Sequence, residues 1–213
     1  MNQQCKKMAF TYNDVYKTKG RSPAVTYGGY ADRVRVPGEF AYKIPAAISS
    51  AEGHLAIQWA AALKAKEVFA ISTSDSKRDE AKKLGATKFI NSRKKEETET
   101  LASMIDILLV TSFGPDTDYN QLLGWVNDNG HVIMLALPEE PMKVNATSLI
   151  FRNVSLTGSL IGGRRLTQEM LDFAAKHNVR PMIEKMAMSD ANAAVRHMVE
   201  GHPRYRIVME TGK

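Results

Sequence analysis

From Gly53 onward, short apolar runs alternate with amphipathic helical stretches. A chain that alternates in this way folds as a parallel sheet with helices on its faces. Gly53–Lys66 has helical spacing, with Leu55, Ile57, Trp59, Ala60 and Leu63 on its apolar side. Val68–Ile71 is a compact apolar strand; Ser74 or Asp75 then caps a helix through Lys83, and Gly85 stands where a helix ends. Lys88–Ile90 reads as strand and Lys95–Met104 as helix. Asp106–Val110 is apolar enough to be covered on both faces. Tyr119–Val126 reads as helix, and His131–Ala136 and Val154–Gly158 as strands. The pattern closes with helix Thr167–His177, strand Pro181–Met186, helix Asp190–Val199 behind a Ser189 cap, and strand Tyr205–Met209. The first fifty residues differ. Val25–Val36, with Gly28-Gly29, reads as irregular β and Phe40–Pro45 as extended, so they form a separate β element.

Composition excludes several classes. With 213 residues and 44% apolar types, the chain buries a core without disulfide or metal staples. No run approaches the ~18 apolar residues of a membrane-spanning helix, so no membrane association is expected. Met1-Asn2-Gln3-Gln4-Cys5-Lys6-Lys7 lacks the apolar stretch of a secretory leader, and one cysteine cannot close an internal disulfide. A reducing, cytoplasmic compartment is the expectation. The net charge of +6 comes from scattered basic residues, and the densest patch, Arg93-Lys94-Lys95, runs straight into Glu96-Glu97. Without a basic stripe interleaved with aromatics, nucleic acid is not an expected partner.

Two turns carry candidate chemistry. In a parallel α/β sheet, ligands sit beyond the carboxyl ends of the strands. The turn after the Val68–Ile71 strand is Ser72-Thr73-Ser74-Asp75-Ser76-Lys77-Arg78. An acidic residue at position 72 would suit a ribose 2′-hydroxyl, whereas hydroxyls and cations suit a 2′-phosphate. Two readings stand: a 2′-phosphate pocket of Ser72, Thr73, Lys77 and Arg78, or a serine-rich helix cap with two solvated cations. A phosphate-cradling glycine turn belongs about 20 residues upstream. Only Gly53 stands there, with no G-x-G-x-x-G before it. Gly162-Gly163 reads as a loop. The histidines have no metal-ligand spacing: His197 and His202 are separated by Gly201, and His54 and His131 read as structural. No G-x-S-x-G nucleophile turn is present, and the eleven methionines read as core filler.

KMAFTYNDVY, TYGGYADRVRVPGEFAYKIP, GHLAIQWAAAL, FAISTSDSKRDEAKKLGATKFINS, LLVTSFGP, SLIFRNVSLTGSLIGG, EMLDFAAKHNVRPMIEKM and RYRIVMET follow one another along nearly the whole chain. Together they resemble the cinnamyl-alcohol-dehydrogenase branch of the zinc-dependent medium-chain dehydrogenases, fungal NADP-dependent alcohol dehydrogenases among them. The resemblance implies a partial Rossmann-like parallel sheet with helices on both faces, plus remnants of a β-rich GroES-like catalytic domain. It divides the chain into a catalytic-domain remnant at 1–50, an NADP-binding unit at 51–163 and a C-terminal return at 164–213. It implies hydride transfer between a small alcohol or aldehyde and the nicotinamide of NADP(H), with zinc polarising the oxygen.

The resemblance also assigns residues. Ser72, Thr73, Lys77 and Arg78 match a 2′-phosphate pocket, and Gly53 matches the last glycine of the phosphate turn. Thr111 and Ser112 match the turn beside the ribose. Leu135, Ala136 and Leu137 match the strand end near the nicotinamide, and Ser159, Leu160 and Ile161 the segment along its carboxamide. Cys5 falls at the last position of a four-cysteine structural zinc loop, alone. The strand at 154–158 matches the edge through which family members pair as dimers. Against the family pattern, the chain has no counterpart to the catalytic zinc ligands, so no catalytic residue is retained and zinc is not expected to bind. Near residue 52 it also lacks the first Rossmann strand and the glycine turn. That strand is normally central, so the strands at 68–71 and 106–110 either pair directly or accept Phe40–Ile44, for which Pro45 is poorly suited. Two outcomes follow: an NADP(H)-dependent oxidoreductase by descent with impaired turnover, or a non-catalytic Rossmann remnant and dimerisation module.

Overall fold

Apolar and β-branched runs become strands and the stretches between them become helices. The computed structural model describes residues 53–112, 114, 116–138, 140–200 and 204–211, together with the backbone of 12–16 and 24–27. Strands β1 (Tyr12–Tyr16) and β2 (Ala24–Tyr27) pair antiparallel, so β2 takes up the start of the expected Val25–Val36 segment. Phe40–Pro45 and the rest of that segment lie outside the described residues.

Helix α1 spans Gly53–Ala62, four residues shorter than the apolar spacing suggested. Lys64 is left-handed (φ 62°), and Ala65 N–H and Lys64 N–H bond back to the carbonyls of Ala60 and Ala61. That double bond closes the helix as a Schellman turn, with Lys where Gly is usual. Leu63 consequently leaves the apolar stripe and is 64% exposed. Strand β3 (Phe69–Ser72) follows, then a 3-10 turn at Asp75–Lys77 and helix α2 (Arg78–Lys83). Gly85, at φ 111°, ends α2 in the left-handed conformation that glycine adopts without a Cβ penalty. Strand β4 (Lys88–Asn91) and helix α3 (Lys95–Glu99) come next. Helix α3 stops five residues short of Met104, with Ser103 left-handed.

Strand β5 (Ile105–Val110), helix α4 (Tyr119–Trp125) and strand β6 (Val126–Met134) follow. Asp118 caps α4 by accepting from Asn120 and Gln121 N–H. Gly130 lies where a Cβ would come within 2.4 Å of Val126 and 2.9 Å of two backbone carbonyls. Helix α5 (Ala146–Ile150) leads to strand β7 (Ser155–Gly158), helix α6 (Arg164–Lys176) and strand β8 (Ile183–Ala187). Helix α7 (Ala191–Val199) and strand β9 (Arg206–Glu210) complete the chain. The expected Ser189 cap is not made. Ser189 lies inside a 3-10 turn, and Asp190 precedes α7 without a side-chain cap bond.

Every ladder from β3 onward is parallel: β3 with β4, β5 with β6, β6 with β7, and β8 with β9. A doubly wound sheet would join these runs, but among the described residues no ladder links β3 to β5. Direct pairing of these two strands is therefore not made. The halves meet instead through apolar packing. Ile90 of β4 shares one cluster with Leu101, Leu108, Val110, Leu123, Val126 and Val132, and Phe69 and Ile71 of β3 pack against it. A second cluster of Ala70, Ala81, Ala86 and Phe89 receives Ile57 of α1.

The expectation that Asp106–Val110 is covered on both faces is corrected. Leu108 and Val110 are buried, but Ile107 is 60% and Leu109 41% exposed. Among the described residues no strand pairs on the β3 side, and α1 packs by Ile57 on the other cluster, so none of them closes over that face. The two faces therefore respond differently to truncation. Leu123→Ala, at a site 2% exposed, lowers unfolding free energy by about 2–5 kcal/mol. Ile107→Ala changes it by less than about 0.5 kcal/mol. Urea denaturation of both variants checks this contrast.

Candidate functional site

Register places the candidate residues along one edge. Val110 of β5 pairs with Met134 of β6, and Met134 with Gly158 of β7. The next residues, Thr111, Leu135 and Ser159, therefore line the carboxyl end of the sheet, where ligands of parallel α/β folds sit. Leu135 and Ala136 N–H both bond to Val110 O at 3.0 Å, and Ser159 N–H to Met134 O at 3.0 Å. Gly53, the first residue of α1, reaches this edge: a Cβ on it would lie 3.5 Å from Thr111 Oγ1. Helix α1 thus points its N-terminal amides toward the end of β5, the polarity that suits an anion. Leu137, Leu160 and Ile161 form an open apolar rim at 86%, 61% and 71% exposure, and Ser112 is exposed as well.

The turn after β3 separates its two cations. Ser72 O accepts from Ser92 N–H at 2.8 Å, which fixes the strand end. Thr73, Ser74 and Ser76 are exposed, and Ser74 makes no cap bond to the following turn. Arg78 is not a solvated cation. Its guanidinium donates to Asp75, to both oxygens of Glu97 at 3.0 and 3.1 Å, and to Phe89 O at 3.1 Å, and it lies over the Phe89 ring. Lys94 Nζ also meets Asp75 at 2.9 Å, and Asn91 Nδ2 donates to it at 3.1 Å. The Lys94 and Arg78 contacts hold the Asp75 carboxyl well below the usual carboxylate range. Glu97 is lowered too, first by the Asn91 N–H and then by Arg78. Arg78 is thereby a corner brace between α2, β4 and α3, which leaves Ser72, Thr73 and Lys77 as the candidate residues of this turn. Lys77 Nζ lies 4.8 Å from the centre of the Tyr205 ring.

His54 is structural, as its sequence context implies, whereas nothing in the sequence singles out its partner Tyr205. His54, in the first turn of α1, is 4% exposed and stacks on Tyr205 with ring centres 4.6 Å apart. Its Nε2 accepts from Met182 N–H at 2.8 Å, which assigns the proton of the neutral ring to Nδ1. That Nδ1 is buried with no hydrogen-bond partner among the described residues. Burial pushes the imidazole pKa below its ordinary value of 6.5. No spacing signal links residue 54 to residues 182 and 205.

Among the described residues, no three His, Cys, Asp or Glu side chains gather as a metal site. Cys5 and His202 lie outside those residues. His197 pairs with Glu184 at 2.8 Å. The two line an open depression of about 440 Å³ between β8 and α7, which contains none of the sheet-edge candidates. No helix of the described residues is long and apolar enough to cross a membrane.

Comparison with known proteins identifies the family and the fold. Residues 52–176 match the zinc-binding dehydrogenase family. A probable mannitol dehydrogenase from Mesembryanthemum crystallinum is 31% identical over 246 aligned positions, covering 99% of this chain and 66% of the relative. The chain thus spans about two thirds of that relative's length. Since 99% of 213 residues is about 211, about 35 aligned positions of the relative fall between matched residues and have no counterpart here. A cinnamyl alcohol dehydrogenase structure from Sorghum bicolor superposes with a TM-score of 0.81 at 23% identity, covering 97% of this chain and 67% of that one. A Helicobacter pylori enzyme of the same name, complexed with NADP(H), gives 0.63 at 27% identity over 72% of this chain and 43% of its own.

The His54 junction has a signed pH dependence. Its folded-state pKa is lowered, so its contribution is complete above 6.5 and is lost as pH falls below that value. Unfolding free energy therefore declines as pH is lowered from 6.5, by at most about 1.4 kcal/mol per pH unit from this site. The decline is shallower in His54→Gln. Denaturant titrations of both proteins across that range measure it.

Proposed function

The chain belongs to the zinc-binding dehydrogenase family, and on that premise we propose that it descends from NADP(H)-dependent alcohol or aldehyde oxidoreductases and keeps the seat of the cofactor's 2′-phosphate. The observation carrying this reading is the end of β3, where Ser72 stands in place of an acid, with Thr73 beside it and Lys77 within the same turn. The carboxylate within this turn, Asp75, is engaged by Arg78, Lys94 and Asn91. Its charge is therefore compensated locally and does not repel a phosphate. A ribose with a free 2′-hydroxyl finds no carboxylate acceptor at position 72, which supports preference for NADP(H) over NAD(H).

The remaining edge residues fit the rest of the cofactor in outline. The α1 N-terminus at Gly53 faces the pyrophosphate, and Thr111 and Ser112 flank the ribose. Leu135–Leu137 and Ser159–Ile161 border the nicotinamide and keep water from its face. The reaction is transfer of a hydride from the alcohol carbon to the nicotinamide, with the hydroxyl proton released, or its reverse. In this family zinc, when bound, polarises the substrate oxygen. The described residues supply no ligand set for it, and no step here is assigned to it. The substrate is a small alcohol or aldehyde, and the compartment is the cytoplasm.

Turnover of this chain is proposed to be low. No glycine-rich turn precedes α1, so few backbone donors meet the pyrophosphate. The positions missing relative to the mannitol dehydrogenase, and the absent ladder between β3 and β5, favour a second reading: a cofactor-binding remnant without catalysis, able to pair with a second copy through β7. Two measurements separate the readings. Lys77→Ala weakens NADPH binding about tenfold or more, since a hydrogen bond to a charged group contributes about 1.5–3 kcal/mol, and leaves NADH unchanged in fluorescence titration. Equal losses for both cofactors overturn the pocket. Aldehyde reduction with NADPH in zinc-supplemented buffer, compared with a full-length relative, reads turnover; a comparable rate overturns the impairment.

A further inference from the structure

We propose that Tyr205 is a positioning residue for Lys77 and, through it, for discrimination between cofactors with and without a 2′-phosphate; this rests on the 2′-phosphate reading above. Tyr205 sits just before β9, 128 positions from Lys77, and its own anchoring is extensive. Its N–H donates to Met182 O at 3.2 Å, and its ring lies at 15° to the His54 ring. Burial, with the Glu80 carboxylate beside it, pushes its hydroxyl pKa up to about 12. At neutral pH it is therefore an uncharged, half-buried ring held from three sides.

Lys77 comes to that ring at 4.8 Å. A lysine stem has four rotatable carbons, and fixing it when a ligand arrives opposes binding. A ring that already holds the ammonium by cation–π attraction reduces that cost while leaving its other N–H groups free to donate. The same ring touches His54 in the first turn of α1. One aromatic side chain from the C-terminal segment therefore contacts both the cation proposed for the 2′-phosphate and the helix whose N-terminus faces the pyrophosphate. The arrangement makes phosphate discrimination depend on docking of the segment that carries β9.

The test uses calorimetry with 2′,5′-ADP and 5′-ADP on the wild-type chain, Tyr205→Phe and Tyr205→Leu. The wild type prefers 2′,5′-ADP, and Tyr205→Phe, which keeps the ring, retains that preference. Tyr205→Leu loses about fivefold in 2′,5′-ADP affinity, the scale of a cation–π contact, with 5′-ADP binding unchanged. A merely structural role would weaken both ligands together. If the wild type prefers 2′,5′-ADP and the leucine variant keeps that preference, this inference is overturned and the 2′-phosphate reading stands. A wild type with no preference overturns both. Should Tyr205→Leu fail to fold, the proton shifts of the Lys77 ε-methylene in the wild type decide: ring-current displacement upfield supports the contact, and random-coil values overturn it.

Discussion

One apolar layer lets this chain hold two half-sheets in a common frame without a ladder between them. Hydrogen bonding ties β3 to β4, and β5 to β6 and β7. Across the break, among the described residues, side chains make the contact: Phe69, Ile71 and Ile90 of the β3–β4 half pack with Leu101, Leu108 and Val110. Apolar packing is non-directional and tolerates a missing neighbour, whereas a ladder does not. At the end of β5, a Cβ on Gly53 of α1 would lie 3.5 Å from Thr111 Oγ1. The exposed Ile107 and Leu109 mark the limit of the compensation, because the layer covers one face of β5 and leaves the other open.

Electrostatics at the α2–β4–α3 corner sort two adjacent cations into different roles. Arg78 presents a planar fork that suits bidentate carboxylate contact, and Glu97 and Asp75 are placed to take it. Lys77, one residue earlier, points out of the corner and meets Tyr205. The serine-rich turn between β3 and α2 is thereby braced on one side by ion pairs and on the other by an aromatic ring. Its hydroxyls are left exposed at the sheet edge, which is the state a phosphate-binding turn requires.

The histidine at the start of α1 ties together parts of the fold that are distant in sequence. His54 accepts from the backbone before β8 and stacks on the residue before β9, so it joins α1 to the C-terminal segment. Its Nδ1, without a partner among the described residues, is an unfavourable feature of a buried group, located one residue from Gly53 at the sheet edge. A joint of this kind couples α1 to the last two strands of the chain.

Much of this was legible in the sequence. The alternation of apolar runs and helical spacing specified each strand from β3 to β9 within one or two residues for most ends, because two- and 3.6-residue periods are local properties. Gly85 marked the end of α2 because a left-handed residue favours glycine. Helix ends set by other means were not legible: the Schellman turn at Lys64 and the uncapped start at Asp190 depend on backbone bonds that residue type does not dictate. Nor was the exposure of Ile107, since coverage of a strand depends on what packs beside it. Ser72, Thr73 and Lys77 could be selected from the turn chemistry alone, whereas the fate of Arg78 depended on Glu97 arriving from α3. His54, Met182 and Tyr205 come together only when the chain has folded. Local sequence fixes which backbone conformations are cheap, but contacts between residues more than a hundred positions apart are chosen by packing of the whole chain.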